Sequence, residues 1–291
     1  MITTIKREIE EAAPAVARTL LKHHRLLYEV GQNQHLVPLA TGLLLRVERR
    51  HFLITAAHVL DANNEHPTCD LATHGRDGLG EAVILHGESF RTVTPEGRTR
   101  LDDRLDVGFI ALDAAVVEQI GEDRFMGPEL MDLNDAGCMP ALYGALGYPE
   151  ELNLTITPTE ARPVTKVPFL YTSVFDAPEE YQRIGVSPNT HLLMHASNKK
   201  TRAAGDIKMK LPDLHGMSGG GCWRLTEYGR NPTAPRLLAM TIEWRRWKTH
   251  GLLASRMNLV VQALRAAYPD LSPRLARSGL ANITTAVLPR R

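Results

Sequence analysis

Apolar residues along the first 30 positions recur at three- and four-residue steps, at Ile5, Ile9, Ala13, Val16, Leu20, Leu21 and Leu27. That spacing predicts helix, with Glu8, Glu10 and Glu11 placed toward its electropositive start. Pro14 falls inside the pattern and predicts a kink or two shorter helices. After Gly31 the rhythm changes. Short apolar or β-branched runs at 42–47, 51–55, 81–85, 107–112 and 141–148 are separated by turn-forming residues, which predicts strands. From about 150 to 213 the strand candidates 154–157 and 191–195 are mixed with Pro149, Pro158, Pro163, Pro168, Pro178 and Pro188. The polar run 198–202 reads as a solvated loop. Strand candidates return at 221–225 and 237–244, and 258–267 is a helical run that Pro269 ends. The last twenty residues carry little pattern. The chain thus divides into a helical segment (1–30), a mostly β domain (31–270) and a tail (271–291).

Composition narrows the class without naming a function. The chain has 291 residues, 43% hydrophobic and 23% charged, enough to bury a sizeable core. Lys and Arg number 34 against 33 Asp and Glu, so no global charge argues for a nucleic-acid or anionic-membrane partner. No stretch approaches 18 uninterrupted apolar residues, as a membrane-spanning helix would need. The opening residues lack the basic-then-apolar order of a secretory signal. Three cysteines (Cys69, Cys138 and Cys222) are too few and too odd for a disulfide framework, and they read as reduced thiols of a cytoplasmic protein.

Three blocks carry candidate chemistry. In 53–60 an apolar strand runs through Thr55-Ala-Ala into His58; in 105–112 Asp106 stands at the mouth of another strand; in 215–221 Ser218 is held between glycines just before a third. Acyl transfer by serine needs these residue types. The hydroxyl is a poor nucleophile until an imidazole takes its proton, and a carboxylate must fix the tautomer of that imidazole. Glycines beside the serine allow a tight turn that can aim backbone N–H groups at a developing oxyanion. The order His, Asp, Ser, with separations of 48 and 112 residues, matches one of the known chain orders of such a triad. The blocks Thr55-Ala-Ala-His58 and Gly216-Met-Ser-Gly-Gly220, with Ala40-Thr-Gly-Leu-Leu-Leu leading toward the histidine, resemble the trypsin-like (chymotrypsin-fold) serine peptidases. The resemblance covers about 36–267.

The resemblance implies two antiparallel six-stranded β-barrels, here near 31–135 and 136–255, with the cleft between them and a C-terminal helix after them. It implies Ser218 as nucleophile, His58 as general base and acid, Asp106 as its orienting carboxylate, and the N–H groups of Gly216 and Ser218 as oxyanion hole. Asp102 and Asp103 stand close to Asp106 as competing carboxylates. Digestive members carry aspartate before the nucleophile, to receive a freed N-terminus. Here that residue is Met217, and neither a processing site nor the disulfide pattern is present. The chain is therefore more similar to intracellular bacterial and HtrA-like branches, without a following PDZ-sized segment. Asp213, His215 and Glu243 are the candidate substrate-binding residues, and a carboxylate at 213 or 243 would favour Arg or Lys before the scissile bond. His23, His24 and His35 lie outside metal-ligand spacings, and His195 has no assigned role; the chemistry calls for neither metal nor cofactor. The expected function is a serine endopeptidase acting on one intracellular protein. The rivals are a catalytically silent binding module of the same fold and an esterase of small acyl substrates.

Overall fold

The alternation that begins near Leu36 becomes two antiparallel sheets, each curled on itself, with few helices. They are seen in a computed structural model that describes residues 15–31, 35–65, 70–76, 82–93, 103–133, 141–153, 166–173, 178–196, 202–203, 207–208, 211–227, 235–245, 251–271 and 287–289. After helix α1 (15–21), the first sheet takes β1 (His24–Val30), β2 (Leu36–Val47), β3 (Arg50–Ala56), β4 (Asp70–His74), β5 (Ala82–Ile84), β6 (Gly87–Thr92), β7 (Val107–Leu112) and β16 (Val287–Pro289). Their order is β16-β6-β7-β3-β2-β1-β4-β5. The second sheet takes β8 (Ala141–Gly147), β9 (Phe169–Ser173), β10 (His191–His195), β13 (Gly221–Glu227), β14 (Arg236–Arg245) and β15 (Gly251–Arg256), in the order β10-β15-β14-β13-β8-β9. A two-stranded ribbon, β11 (Arg202–Ala203) with β12 (Ile207–Lys208), stands apart.

The double-barrel, all-β architecture is the one the resemblance implies, and the second sheet has the six strands expected. The first has eight. The helical stripe covers 15–21, but residues 24–30 form a strand. β1 lies between β2 and β4, and His24 to Tyr28 are buried in succession on both faces, a pattern that helical spacing of Leu20, Leu21 and Leu27 does not reveal. The tail is likewise not wholly outside the domain, because Val287–Pro289 pairs with β6. Three residues of ladder need only backbone groups, so no periodicity announces them. The kink at Pro14, the strand at 154–157 and most of the loop at 198–202 lie outside the described residues.

The core explains the remainder. Along β2 and β3, Leu43, Leu44, Leu45, Phe52, Leu53 and Ile54 are fully buried. Phe90 stacks on Phe109 at 5.1 Å between ring centroids, and Tyr268 closes on both Phe52 and Phe90. The helix Met257–Ala267 inserts Met257, Leu259, Val260, Val261, Ala263 and Leu264, and it packs on β6 and β7 of one sheet and β14 and β15 of the other.

The sheets also meet at His24 and Trp223. The indole Nε1–H of Trp223 donates to His24 Nε2 at 3.4 Å, and His24 Nδ1 donates to the Leu20 carbonyl at 2.9 Å. One donor and one acceptor are what a neutral imidazole offers. Burial is the main reason that its pKa falls from 6.5 to about 3. A depressed histidine contributes stability that is present above the unfolded value and lost as pH falls, because the unfolded chain takes up the proton first. Between pH 6.5 and about 3 this group should reduce unfolding free energy with a slope approaching about 1.4 kcal/mol per pH unit. Urea midpoints measured from pH 7 to pH 4 should fall less steeply for His24→Gln than for the wild type; parallel curves would remove His24 as the cause.

Candidate active site

His58 is the second residue of helix α2 (Ala57–Glu65), which begins where β3 ends. The first N–H groups of a helix lack partners within it. Here Asp106 supplies them from the turn before β7: its carbonyl accepts from Ala57 N–H at 3.0 Å, and its Oδ1 accepts from His58 N–H at 2.9 Å. The other oxygen, Oδ2, takes the proton of His58 Nδ1 at 2.6 Å. One carboxylate thus caps the helix and orients the ring, which leaves Nε2 as the basic nitrogen of a neutral imidazole. Gly108 permits the close fit, since a Cβ there would lie 2.9 Å from Leu60 Cδ1 and 3.1 Å from Ala57 Cα.

Asp106 holds a left-handed backbone, φ +46°, which Asp and Asn tolerate better than most residues. Its neighbours over-determine that conformation. The Arg104 carbonyl accepts from His191 Nε2 at 2.6 Å, the Leu105 carbonyl accepts from Ser255 Oγ, and the Leu105 N–H donates to Asp103 at 3.0 Å. Asp103 also accepts from Thr92 Oγ1, so it organises the turn while Asp106 meets the histidine. Asp102 lies outside the described residues.

Ser218 sits in the loop that leads into β13, and that loop docks on the first sheet. Thr41 N–H donates to the Ser218 carbonyl at 2.9 Å, and Thr55, three residues before His58, donates its hydroxyl to the Thr41 carbonyl at 2.9 Å. Three successive peptide units are pinned by their carbonyls. His215 O accepts from Glu150 N–H at 2.7 Å, Gly216 O from Thr41 Oγ1 at 2.8 Å, and Met217 O from Gly220 N–H at 2.8 Å as well as from Thr241 Oγ1. In a trans peptide the N–H points opposite to the C=O. The N–H groups of Gly216 and Ser218 therefore face away from these anchors, and neither donates to a backbone carbonyl among the described residues. Gly216 needs φ +85°, and a Cβ on it would lie 2.7 Å from Tyr148 O. Met217 is fully buried within the second core, its sulfur beside Gly147.

No protein-family model and no curated relative matches the chain. Solved structures do resemble it in shape. A thermostable serine protease, AL20, from an extremophilic microorganism is 12% identical with a TM-score of 0.45, over 85% of this chain and 97% of that one. The serine endoprotease from Yersinia pestis is also 12% identical, TM-score 0.48, over 88% of this chain and 66% of that one. Neither likeness carries the role of any residue to this chain.

The structure joins His58 to Asp106 and brings the Ser218 loop against β2 and β3. The Ser218 hydroxyl itself donates to the Ile242 carbonyl at 3.3 Å. Among the substrate-binding candidates, Asp213 accepts from His215 N–H at 3.2 Å and so shapes its own turn, while Asp213 N–H donates to the Glu151 carboxylate. His215 projects outward, its side chain 73% exposed. Glu243 is exposed in β14, directly after the Ile242 whose carbonyl meets Ser218. His195 ends β10, and its carbonyl accepts from Tyr171 and Ser173. His23 donates from Nδ1 to the Arg124 carbonyl at 2.8 Å. Among the described residues no three His, Cys, Asp or Glu side chains gather into a potential metal site. Burial pushes the Cys222 thiol up to about 12.

Sequence reasoning did not single out Thr41, Glu150 or Thr241, whose bonds hold the loop. Thr41, just ahead of Gly42, lay in the strand leading to the histidine, and Thr241 lay in the strand candidate 237–244; Glu150 lay in no marked strand or block.

Burial raises the pKa of Asp106 above its ordinary 3.8, against the opposing bonds from His58. A carboxyl that binds its proton more tightly when folded loses stability as pH rises out of the ordinary carboxylate range. Asp106→Asn keeps the left-handed backbone and removes the buried charge. Its melting temperature at pH 7 should equal or exceed that of the wild type, with the gap closing below pH 4; a marked loss at pH 7 would mean that pairing with His58 outweighs desolvation.

Proposed function

We propose that the chain is a serine endopeptidase that hydrolyses peptide bonds through an acyl-enzyme on Ser218. The carrying observation is the Asp106–His58 pair, in which one buried carboxylate holds both the ring and the backbone of the histidine. The Ser218 hydroxyl turns from Ile242 to His58 Nε2 and attacks the scissile carbonyl carbon, passing its proton to that nitrogen. Nδ1–H stays on the ring, and Asp106 stabilises the imidazolium without taking the proton. The oxyanion lies between the N–H groups of Gly216 and Ser218, where preorganised donors cost no reorganisation. Collapse breaks the C–N bond, and His58 gives its proton to the departing amine. A water then enters by the same route and releases the acyl group. No metal or cofactor takes part.

The substrate is a protein or peptide, and the setting is the bacterial cytoplasm. Cysteine usage supports that setting: three cysteines, of which Cys222 is a buried free thiol. The chain is closer in kind to intracellular bacterial and HtrA-like members than to digestive zymogens, and it acts on one particular protein. No helix among the described residues is long and apolar enough to cross a membrane. Glu243, exposed beside Ile242, is better placed than Asp213 to favour Arg or Lys before the scissile bond. One observation favours a second reading, a catalytically silent binding module of the same fold: the Ser218 hydroxyl is directed at Ile242.

A fluorophosphonate probe should label the wild type and not Ser218→Ala, and peptide turnover by that variant should drop at least several hundredfold. Absence of labelling in well-folded wild type would favour the silent module. Ester turnover without peptide cleavage would make the chain an esterase. On a peptide library, a narrow spectrum with basic residues before the cut is expected; broad casein degradation, or no enrichment of Arg and Lys, would overturn the specificity assignment.

A further inference from the structure

The hydroxyl of Thr41 is completely buried and fully used. It accepts from Tyr148 N–H at 2.9 Å and donates to the Gly216 carbonyl at 2.8 Å, so one side-chain oxygen links β2 of the first sheet, the end of β8 in the second, and the loop that carries Ser218. We infer that Thr41 is a positioning residue of the oxyanion site: its hydroxyl holds both the Gly216 carbonyl and the Tyr148 N–H at the head of the turn whose Glu150 N–H anchors the His215 carbonyl, and so keeps the Gly216 N–H of the 215–216 peptide aimed outward. The inference rests on the peptidase reading above and adds to it a residue from the opposite sheet.

The reason lies in what happens without that oxygen. Gly216 has no Cβ and occupies φ +85°, so its flanking peptides can rotate more freely than those of any other residue. Three contacts oppose rotation: Glu150 N–H on the His215 carbonyl of the 215–216 peptide and, on the 216–217 peptide, Thr41 Oγ1 on the Gly216 carbonyl and Met217 N–H on the Leu214 carbonyl. Removal of the hydroxyl strands the Gly216 carbonyl and the Tyr148 N–H together in a dry site. Unpaired buried groups of that kind are costly, and a shift of the 148–150 turn is the available relief. Such a shift withdraws the Glu150 N–H from the His215 carbonyl, frees the 215–216 peptide to rotate and takes the Gly216 N–H away from the position an oxyanion would occupy.

Docking and aiming are carried by different atoms of the same residue. Thr41 docks the loop through its backbone, N–H to the Ser218 carbonyl and C=O to Thr55, and these bonds survive a change of side chain. Thr41→Val therefore deletes the aiming bond in an isosteric shape, and Thr41→Ser restores it. Space for anything larger is absent, since a Cβ on Gly147 would already stand 3.0 Å from Oγ1.

The test is the second-order rate of fluorophosphonate labelling for wild type, Thr41→Val and Thr41→Ser, measured from pH 5 to pH 9 alongside thermal melts. Loss of one well-aimed oxyanion donor costs about 10²–10³-fold, so misaiming it should slow Thr41→Val by about tenfold to a hundredfold. Thr41→Ser should stay within about threefold of wild type on the same scale. The pH midpoint should be the same in all three, because the Asp106–His58 pair is untouched. Wild-type rates in Thr41→Val, an equally slow Thr41→Ser, or a displaced pH midpoint would overturn the inference. Should Thr41→Val fail to fold, Thr41→Ala removes the same hydroxyl and is held to the same outcomes. A folded wild type that is not labelled at all would instead overturn the peptidase reading, and the role of Thr41 with it.

Discussion

The two sheets touch at a place where neither has room for a side chain. A Cβ on Gly219 would lie 1.9 Å from the Thr41 carbonyl oxygen and 2.4 Å from Thr55 Oγ1, both on the first sheet. Backbone therefore rests on backbone, and the φ of +86° that Gly219 adopts is accessible at little cost only to glycine. His58 and Asp106 belong to the first sheet and Ser218 to the loop before β13 of the second, so this contact sets where the proposed nucleophile stands relative to the Asp106–His58 pair. The polar groups trapped at the contact are paired in turn, by Thr41, Thr55 and Thr241, as a dry interface demands.

Around that point the work is divided between rigid elements. A strand end and a helix start hold the imidazole; a turn braced by Asp103, His191 and Ser255 holds the carboxylate; a loop gripped on three consecutive carbonyls holds the hydroxyl. Met217 shows how the last of these is stabilised. Its apolar side chain is buried with Leu214, Cys222 and Ala239, which ties the loop to the second core.

The sequence was most legible where side chains announce geometry. Short apolar or β-branched runs between turn residues found β2, β3, β5, β7, β8, β10, β13 and β14, and helical spacing with a terminating proline found the helix Met257–Ala267. The His, Asp and Ser blocks were legible because their residue types and chain order are chemically constrained. What stayed hidden is carried by the main chain or decided at long range. β1 reads as the continuation of a helix because Leu20, Leu21 and Leu27 fit either period over so short a stretch. β16 is three residues of backbone pairing. Among Asp102, Asp103 and Asp106 nothing local distinguishes the partner of His58; the choice is made by Thr92, His191 and Ser255 arriving from distant strands. Glu150 acts through its amide, which any residue but proline would supply.

The contact between His24 and Trp223 has an optical consequence. The indole lies in β13 of one sheet and the imidazole in β1 of the other, their ring centroids 5.9 Å apart and both fully buried. While the sheets stay closed, the imidazole remains neutral and the indole sits in an apolar surround. Any parting of the two halves admits water to the indole and a proton to the imidazole at once, and both change the emission of Trp223. The seam thus carries one of the chain's three tryptophans, whose share of the emission changes when the barrels separate.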